Sequence, residues 1–404
     1  MSANDLHSIT VQGFRSMRSV GGPTYFDAPR SFMDDALELR PINVVIGANG
    51  SGKTNFLEVF AFLRSVRAGR LRRYVQRASG AEKILHFGRR RTSRMAIEVW
   101  FRHEGGSRFS GYQIGLEPTD SDGLVPAGEV VLYWEPENYP KPFDTGPGPV
   151  APPLGEAAIS MPAEPDENPV QGTAYYSLRA RELAREHLGS WRRFQFHDTS
   201  AASPIKRACD VHDNRYLRAD GANLAAYLYR LRHTHSESYS MICKTIHLVA
   251  PFFEDFQLEP LALNTDKMQL DWHHRGSDDY FGPSSLSDGT LRFMALATLL
   301  MQPVELRPKV ILIDEPELGL HPYAIGILAS MIRSASKDTQ VIVATQSPIL
   351  LDYFEPEEVL VAERKDEETK LRRLETEPLR EWLEDYSLGQ LWEKNELGGR
   401  PGSE

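Results

Sequence analysis

The chain has 404 residues, 41% hydrophobic and 25% charged, with a formal net charge of -10, a composition that suits a soluble globular protein of two domains or one elaborated one. Its two cysteines, Cys209 and Cys243, lie far apart without metal-ligand spacing, which argues against a disulfide scaffold or zinc site and suits a reducing cytoplasm. The start, MSANDLHSITVQGF, has no basic segment followed by an apolar one, and nowhere do about eighteen apolar residues run together, so neither signal peptide nor membrane span is expected.

The first block, residues 1–103, holds a strand at SITVQGF, a buried apolar run at INVVIG and a helix at TNFLEVFAFLRSV. Alternation in MAIEVWF adds a half-buried antiparallel strand. The middle block, residues 104–283, opens with strand-like GYQIGL and EVVLYW. Pro136 to Pro169, rich in Pro, Gly and acids, reads as a long surface loop. Helical spacing returns in ANLAAYLYRLRHT and YSMICKTIHLVAPFF. From 284 to 364 helix and strand alternate through GTLRFMALATLLM, KVILID, YAIGILASMIRSA, TQVIVAT and EVLVAER, leaving a tail, 365–404. Two of these strands are continuous apolar runs, as a parallel sheet covered on both faces requires. No internal repeat or heptad array is visible.

Charge is spread unevenly. From Arg64 to Arg94 the chain carries ten Arg and one Lys against the single acid Glu82, whereas from Glu117 to Glu167 eleven acids face Lys141 alone. The basic run is a candidate phosphate-tracking surface for DNA; a solvated helix face with a loop is the other reading.

Gly47 to Thr54, GANGSGKT, fits G-x-x-x-x-G-K-[ST] between a buried strand and a helix, the context a phosphate loop needs. Gly47, Gly50 and Gly52 let the backbone wrap phosphates while N–H groups at the helix start point inward. Lys53 neutralises the β- and γ-phosphates, and Thr54 offers a hydroxyl to Mg²⁺. Ala48, Asn49, Ser51 and Asn55 complete the expected nucleotide contacts. In KVILIDEP an apolar strand delivers two adjacent carboxylates to its carboxyl end, where open α/β sheets bind ligands. Neighbouring strand residues point oppositely. Asp314 is therefore expected to hold Mg²⁺ and Glu315 to orient and deprotonate the attacking water.

GANGSGKT, SLSDGT before a helix, VILIDEPELGLHP and VIVATQSP follow one another as in the ABC-type ATPase heads of the SMC, RecF and OLD superfamily, which this chain resembles. More closely, it looks like the stand-alone ATPases often labelled AAA-type, whose C-terminal segment resembles YSLGQLWEKNELGGRP. The resemblance covers residues 5–103 and 284–400 and implies an α/β head with a mixed sheet, an antiparallel β subdomain and an inserted helical region. It makes 1–103 and 284–364 the two ATPase lobes, with 104–283 as the insert.

By that resemblance Leu286 to Thr290 stands where the signature usually reads LSGGQ. Ser287 and Gly289 match, and in the family this helix start contacts the γ-phosphate of a nucleotide on the other subunit. Asp288 and Thr290 depart from the pattern, and Asp288 brings a negative charge there unless it turns to cap the helix. GLHP, residues 319–322, takes the D-loop position, where His321 bridges the dimer seam or merely starts a helix with Pro322. Gln346 replaces the switch histidine of many relatives and can donate a hydrogen bond but not take up a proton. Gln113 and Gln195 are both candidates for the Q-loop. Arg15 resembles an N-terminal element near the base, or is a surface arginine.

The insert is too short and too broken for coiled-coil arms. Some forty residues after the last expected strand are too few for the nuclease of OLD proteins, so any effector is expected on a separate chain. The expected protein is a cytoplasmic ATPase that closes as a homodimer around ATP and Mg²⁺, acting in DNA repair or defence against foreign DNA. The alternatives are an ATP-gated protein scaffold without DNA binding and a transporter nucleotide-binding subunit.

Overall fold

The computed structural model describes residues 5–24, 35–139, 141–144, 155–161 and 173–399. Two compact units divide the chain: Met1–Trp191, Glu357–Glu375 and Asn395–Glu404 form the first, Arg192–Pro356 and Thr376–Lys394 the second.

In the first unit, strand Ile42–Ile46 is buried at every position. It pairs in parallel with Val359–Lys365, Val44 opposite Val359 and Ile46 opposite Val361. Val359–Lys365 also pairs antiparallel with Glu368–Arg373, so the sheet is mixed. Polar TKLRR gave no strand signal because one edge strand needs only a few buried positions, here Glu368 and Thr369.

A second sheet of this unit is antiparallel. Asp5–Phe14 pairs with Met17–Val20 on one side and Met95–Arg102 on the other, and Phe109–Pro118 and Leu124–Trp134 continue the meander. MAIEVWF is not half-buried as expected: every residue from Met95 to Phe101 is buried. Its polar member Glu98 lies inside, accepting the Trp100 indole N–H at 2.6 Å, so alternation persists without a wet face.

Helix Lys53–Arg67 buries Phe56, Leu57, Phe60 and Leu63. Helix Thr173–Ser190 was not anticipated. Its buried face mixes Ala180, Leu183, Ala184 and Leu188 with the polar Arg181 and His187. Of the stretch from Pro136 to Pro169, residues 140, 145–154 and 162–169 lie outside the described residues. The described part is not all surface loop, since Ala157, Ala158 and Ile159 are buried. The backbone N–H groups of Ala158 and Ile159 each donate to the Glu129 carboxylate at 2.6 Å, which satisfies that half-buried acid.

In the second unit, Val310–Asp314 lies between two parallel partners, Gln340–Thr345 and Arg192–Phe194. Helix Asp288–Met301 is buried without interruption from Leu291 to Leu300. Helix Pro322–Ala335 starts at the proline, with His321 as its cap. The two expected helices of the insert are Leu224–Thr234 and Ser236–Val249. Both cysteines are buried thiols; burial, then Asp255, raises Cys243 to about 12, so it is no reactive thiolate at neutral pH. Among the described residues no helix is long and apolar enough to cross a membrane.

Candidate nucleotide site

The phosphate loop leaves strand Ile42–Ile46 and turns into helix Lys53–Arg67 through two left-handed glycines, Gly50 at φ 80° and Gly52 at φ 104°. A side chain at Gly52 would collide with Thr369, and one at Gly47 with the Ala362 carbonyl. Only glycine lets the loop pass this close to its own sheet. A side chain at Gly50 would meet nothing within 4 Å, which marks the open side of the loop. Lys53 is 5% exposed and donates to the carbonyls of Gly47 at 2.7 Å and Ala48 at 3.0 Å. Its ammonium is thereby held over the loop.

Residues that the motif does not contain brace this loop. Thr369 Oγ1 donates to the Ser51 carbonyl and shares a hydrogen bond with Ser16 Oγ, both at 2.8 Å. Asn55 Nδ2 donates to Ser16 Oγ at 2.7 Å. The Gly399 carbonyl accepts the Ala48 N–H at 2.9 Å, which places the ELGG segment of the C-terminal tail against the loop. Arg15 sits at φ 50°, its guanidinium 3.5 Å from Asn55 Oδ1 and 3.8 Å from Glu58. It supports the helix start rather than lying loose on the surface.

In the second unit the acidic pair behaves as two groups. Asp314 is 5% exposed and its Oδ2 accepts from Arg193 Nη2 at 2.8 Å, while His197 Nε2 meets its carbonyl at 2.8 Å. Glu315 turns left-handed, φ 43°, and its N–H donates to the Ala344 carbonyl at 2.7 Å. A non-glycine residue there costs about 1–3 kcal/mol, a strain typical of functional sites. Gln346 Nε2 donates to Glu315 Oε1 at 2.5 Å. Glu317, in the same DEPE run, accepts from Thr345 Oγ1 at 2.5 Å and from the Gln346 N–H at 3.4 Å. Burial, with the Glu315 charge a smaller contributor, raises its carboxyl above the usual range.

The signature-like turn is a capped helix start. Ser287 Oγ accepts the Thr290 N–H at 3.1 Å, and Asp288 is paired with Lys206 at 3.3 Å. Gly289 has no room for a side chain, which would strike the Gly319 carbonyl of the GLHP turn. One turn on, Arg292 is 5% exposed; Nε donates to the Phe196 carbonyl at 3.0 Å, Nη2 to the His197 carbonyl at 3.2 Å, and Nη1 to the Leu318 carbonyl. Of the two Q-loop candidates, Gln113 is fully buried within an antiparallel strand. Gln195 follows Arg192–Phe194, the strand beside that of Asp314.

The basic run is divided. Arg70, Arg72, Arg73, Arg77, Arg89, Arg90, Arg91 and Arg94 are all exposed, and of these Arg89 pairs with Glu82 and Asp122 and Arg91 approaches Glu367 at 3.9 Å. Among the described residues no three His, Cys, Asp or Glu side chains converge to hold a metal. Mg²⁺ needs no such cage, since it keeps waters and phosphate oxygens and takes one or two protein oxygens.

The sequence matches the AAA_21 family model over residues 42–131 and 163–352, a family described as "AAA domain, putative AbiEii toxin, Type IV TA system". The chain belongs to the AAA_21 family. This AAA_21 protein is a P-loop ATPase, and the family implies a bound nucleotide. No curated protein matches it. In fold it is similar to an SMC head crystallised with the C-winged helix domain of ScpA, at TM-score 0.57 and 15% identity, over 93% of this chain and 99% of that one. It is also similar to an SMC head with an extended coiled coil, bound to the C-terminal domain of ScpA and derived from Pyrococcus furiosus. There the TM-score is 0.54 and the identity 14%, over 95% of this chain and 99% of the other. The fold class expected from the sequence, an SMC-type P-loop head with a mixed sheet, is thereby established.

Proposed function

We propose that the chain is an ATP-driven switch: two copies close on ATP and Mg²⁺, hydrolyse it and reopen, and a partner effector reads the change in DNA repair or defence against foreign DNA. In this reading Lys53 and Thr54 engage the phosphates and metal, Asp314 holds Mg²⁺ through water, and Glu315 activates the attacking water. Gly47, Ala48, Asn49, Gly50, Ser51, Gly52 and Asn55 cradle the nucleotide. Gln346 reaches the γ-phosphate, and Ser287 and Gly289 receive that phosphate from the second copy.

One observation carries the reading. Asp288, the charged one of the two departures from the signature pattern, is paired with Lys206, so its charge is offset. The start of helix Asp288–Met301 keeps the positive character that suits an anion. Exposed Arg70, Arg72, Arg73, Arg77 and Arg90 support contact with DNA phosphates. The pairing of Arg89 and Arg91 with acids favours the alternative, a protein scaffold that touches no nucleic acid, for that half of the run.

Light scattering of Glu315→Gln with and without ATP tests the switch, which requires a dimer only with ATP. Duplex DNA binding across a salt series tests the output. Binding should fall steeply with salt and flatten when the exposed arginines become Gln. Absence of binding at low salt in both nucleotide states selects the scaffold.

A further inference from the structure

Asp314, the carboxylate that the proposed function gives to Mg²⁺, already has a cation. Arg193 lies midway along strand Arg192–Phe194, opposite Leu312 of the strand that ends in Asp314. Its Nη2 is 2.8 Å from Asp314 Oδ2, and the two side chains are only 15% and 6% exposed. A buried carboxylate without a partner is costly, and a guanidinium held this close neutralises it. A divalent cation bound to the same carboxyl, directly or through one water, would stand within a few ångströms of the guanidinium. Two cations there repel strongly in a poorly solvated place.

We infer that Arg193 is a resident counter-cation of Asp314 that Mg²⁺ displaces, so that metal arrival moves the segment that carries Arg193. The inference rests on Asp314 being the metal ligand. Arg193 touches no reacting atom and is a positioning residue.

The displaced segment is connected. Two residues beyond Arg193 comes Gln195, and then Phe196 and His197, whose carbonyls accept from Arg292 at 3.0 and 3.2 Å. His197 also meets the Asp314 carbonyl through its own ring. Arg292 belongs to the first turns of the helix that begins with Ser287 and Asp288. Release of Arg193 therefore acts on the strand end that anchors the signature helix. Occupancy of the metal ligand and placement of Ser287 become two readings of one local rearrangement, the linkage an ATP-dependent switch needs.

The test uses the full chain with a non-hydrolysable ATP analogue and Mn²⁺ in place of Mg²⁺, with free Mn²⁺ counted by electron paramagnetic resonance. Arg193→Gln should bind Mn²⁺ roughly five-fold or more tightly, because the competing cation is gone. In metal-free buffer the same variant should melt lower than wild type, and Mn²⁺ with the analogue should erase the gap. Arg193→Lys keeps the charge without the planar fork and should fold as wild type with an intermediate gain in affinity, which guards against a misfolded Gln variant. Wild-type or weaker Mn²⁺ affinity in both variants overturns the inference. Asp314→Asn separates the two claims: if it leaves Mn²⁺ binding unchanged, Asp314 is not the ligand and the underlying reading fails. If it abolishes binding while the Arg193 variants bind like wild type, only the displacement fails.

Discussion

Gln346 Nε2 lies 2.5 Å from Glu315 Oε1, so the glutamine proposed to reach the γ-phosphate also holds the proposed base. Glu315 is kept in a left-handed backbone state by its N–H bond to Ala344, which aims the carboxylate at residue 346. A glutamine in that place cannot titrate. Gln346→His should therefore give turnover a new pH dependence near the ordinary histidine pKa of about 6.5, absent from wild type. Steady-state kcat between pH 5.5 and 8, a range of roughly one unit about that value, checks this for both proteins. Superimposable profiles would place residue 346 away from the reacting phosphate.

Glu317 gives a stability prediction. Burial raises its carboxyl, so folding penalises its charged form. The penalty is absent where the acid is protonated in both states, and it grows as pH rises from the unfolded value through the folded one. Glu317→Gln keeps an oxygen for Thr345 Oγ1 and the Gln346 N–H while removing that charge. Its melting temperature should exceed that of wild type at pH 8, with the gap closing towards pH 4. An equal gap at both ends would assign the change to packing.

Thr369 ties the phosphate loop to its sheet. Thr369→Val preserves shape but leaves the Ser51 carbonyl without its side-chain donor and breaks the hydroxyl contact with Ser16 Oγ. The expected loss is about 1–3 kcal/mol of stability, read by urea unfolding, together with weaker binding of a fluorescent ATP analogue. Lys53→Ala removes the ammonium itself and the donor to the Gly47 and Ala48 carbonyls, so it should lose nucleotide affinity and some stability with it. If Thr369→Val binds nucleotide as wild type does, the brace serves folding alone.

What the sequence disclosed and what it hid divide along a physical line. GANGSGKT and VILIDEP are local devices whose strand, turn and helix are contiguous, so spacing alone locates Lys53, Thr54, Asp314 and Glu315. Their supports come from elsewhere in the chain. Thr369 meets Ser51 across 318 positions and Arg193 meets Asp314 across 121. No local pattern announces such pairings. Gln195 and Gln113 were indistinguishable as sequence, because what separates them is the neighbouring strand, parallel for one and antiparallel for the other. Helix Thr173–Ser190 gives no apolar period because Arg181 and His187 share its buried face, and MAIEVWF misleads because Glu98 is buried against Trp100. Glu317 stood in plain view, yet only its hydrogen bonds to residues 345 and 346 give it a task.

Ser287 supplies the last prediction, since its hydroxyl caps its own helix while the proposed switch also gives it a phosphate bound by another copy. If each ATP lies between Lys53 of one chain and Ser287 of the other, Lys53→Ala and Ser287→Arg should each be inactive alone. After subunit exchange, a mixed dimer gathers both lesions in one site and leaves the opposite site intact, as two-fold symmetry requires. Partial ATPase activity should then return. Ser287→Arg also removes a cap worth about 1 kcal/mol, so its melting temperature must be measured to separate lost contact from lost fold. Sites that fire only together would stay silent even in a dimer, so the mixture is also weighed in ATP by light scattering. A monomer that hydrolyses ATP at full rate, with Ser287→Arg harmless, would reduce SLSDGT to a helix cap and remove the dimeric switch.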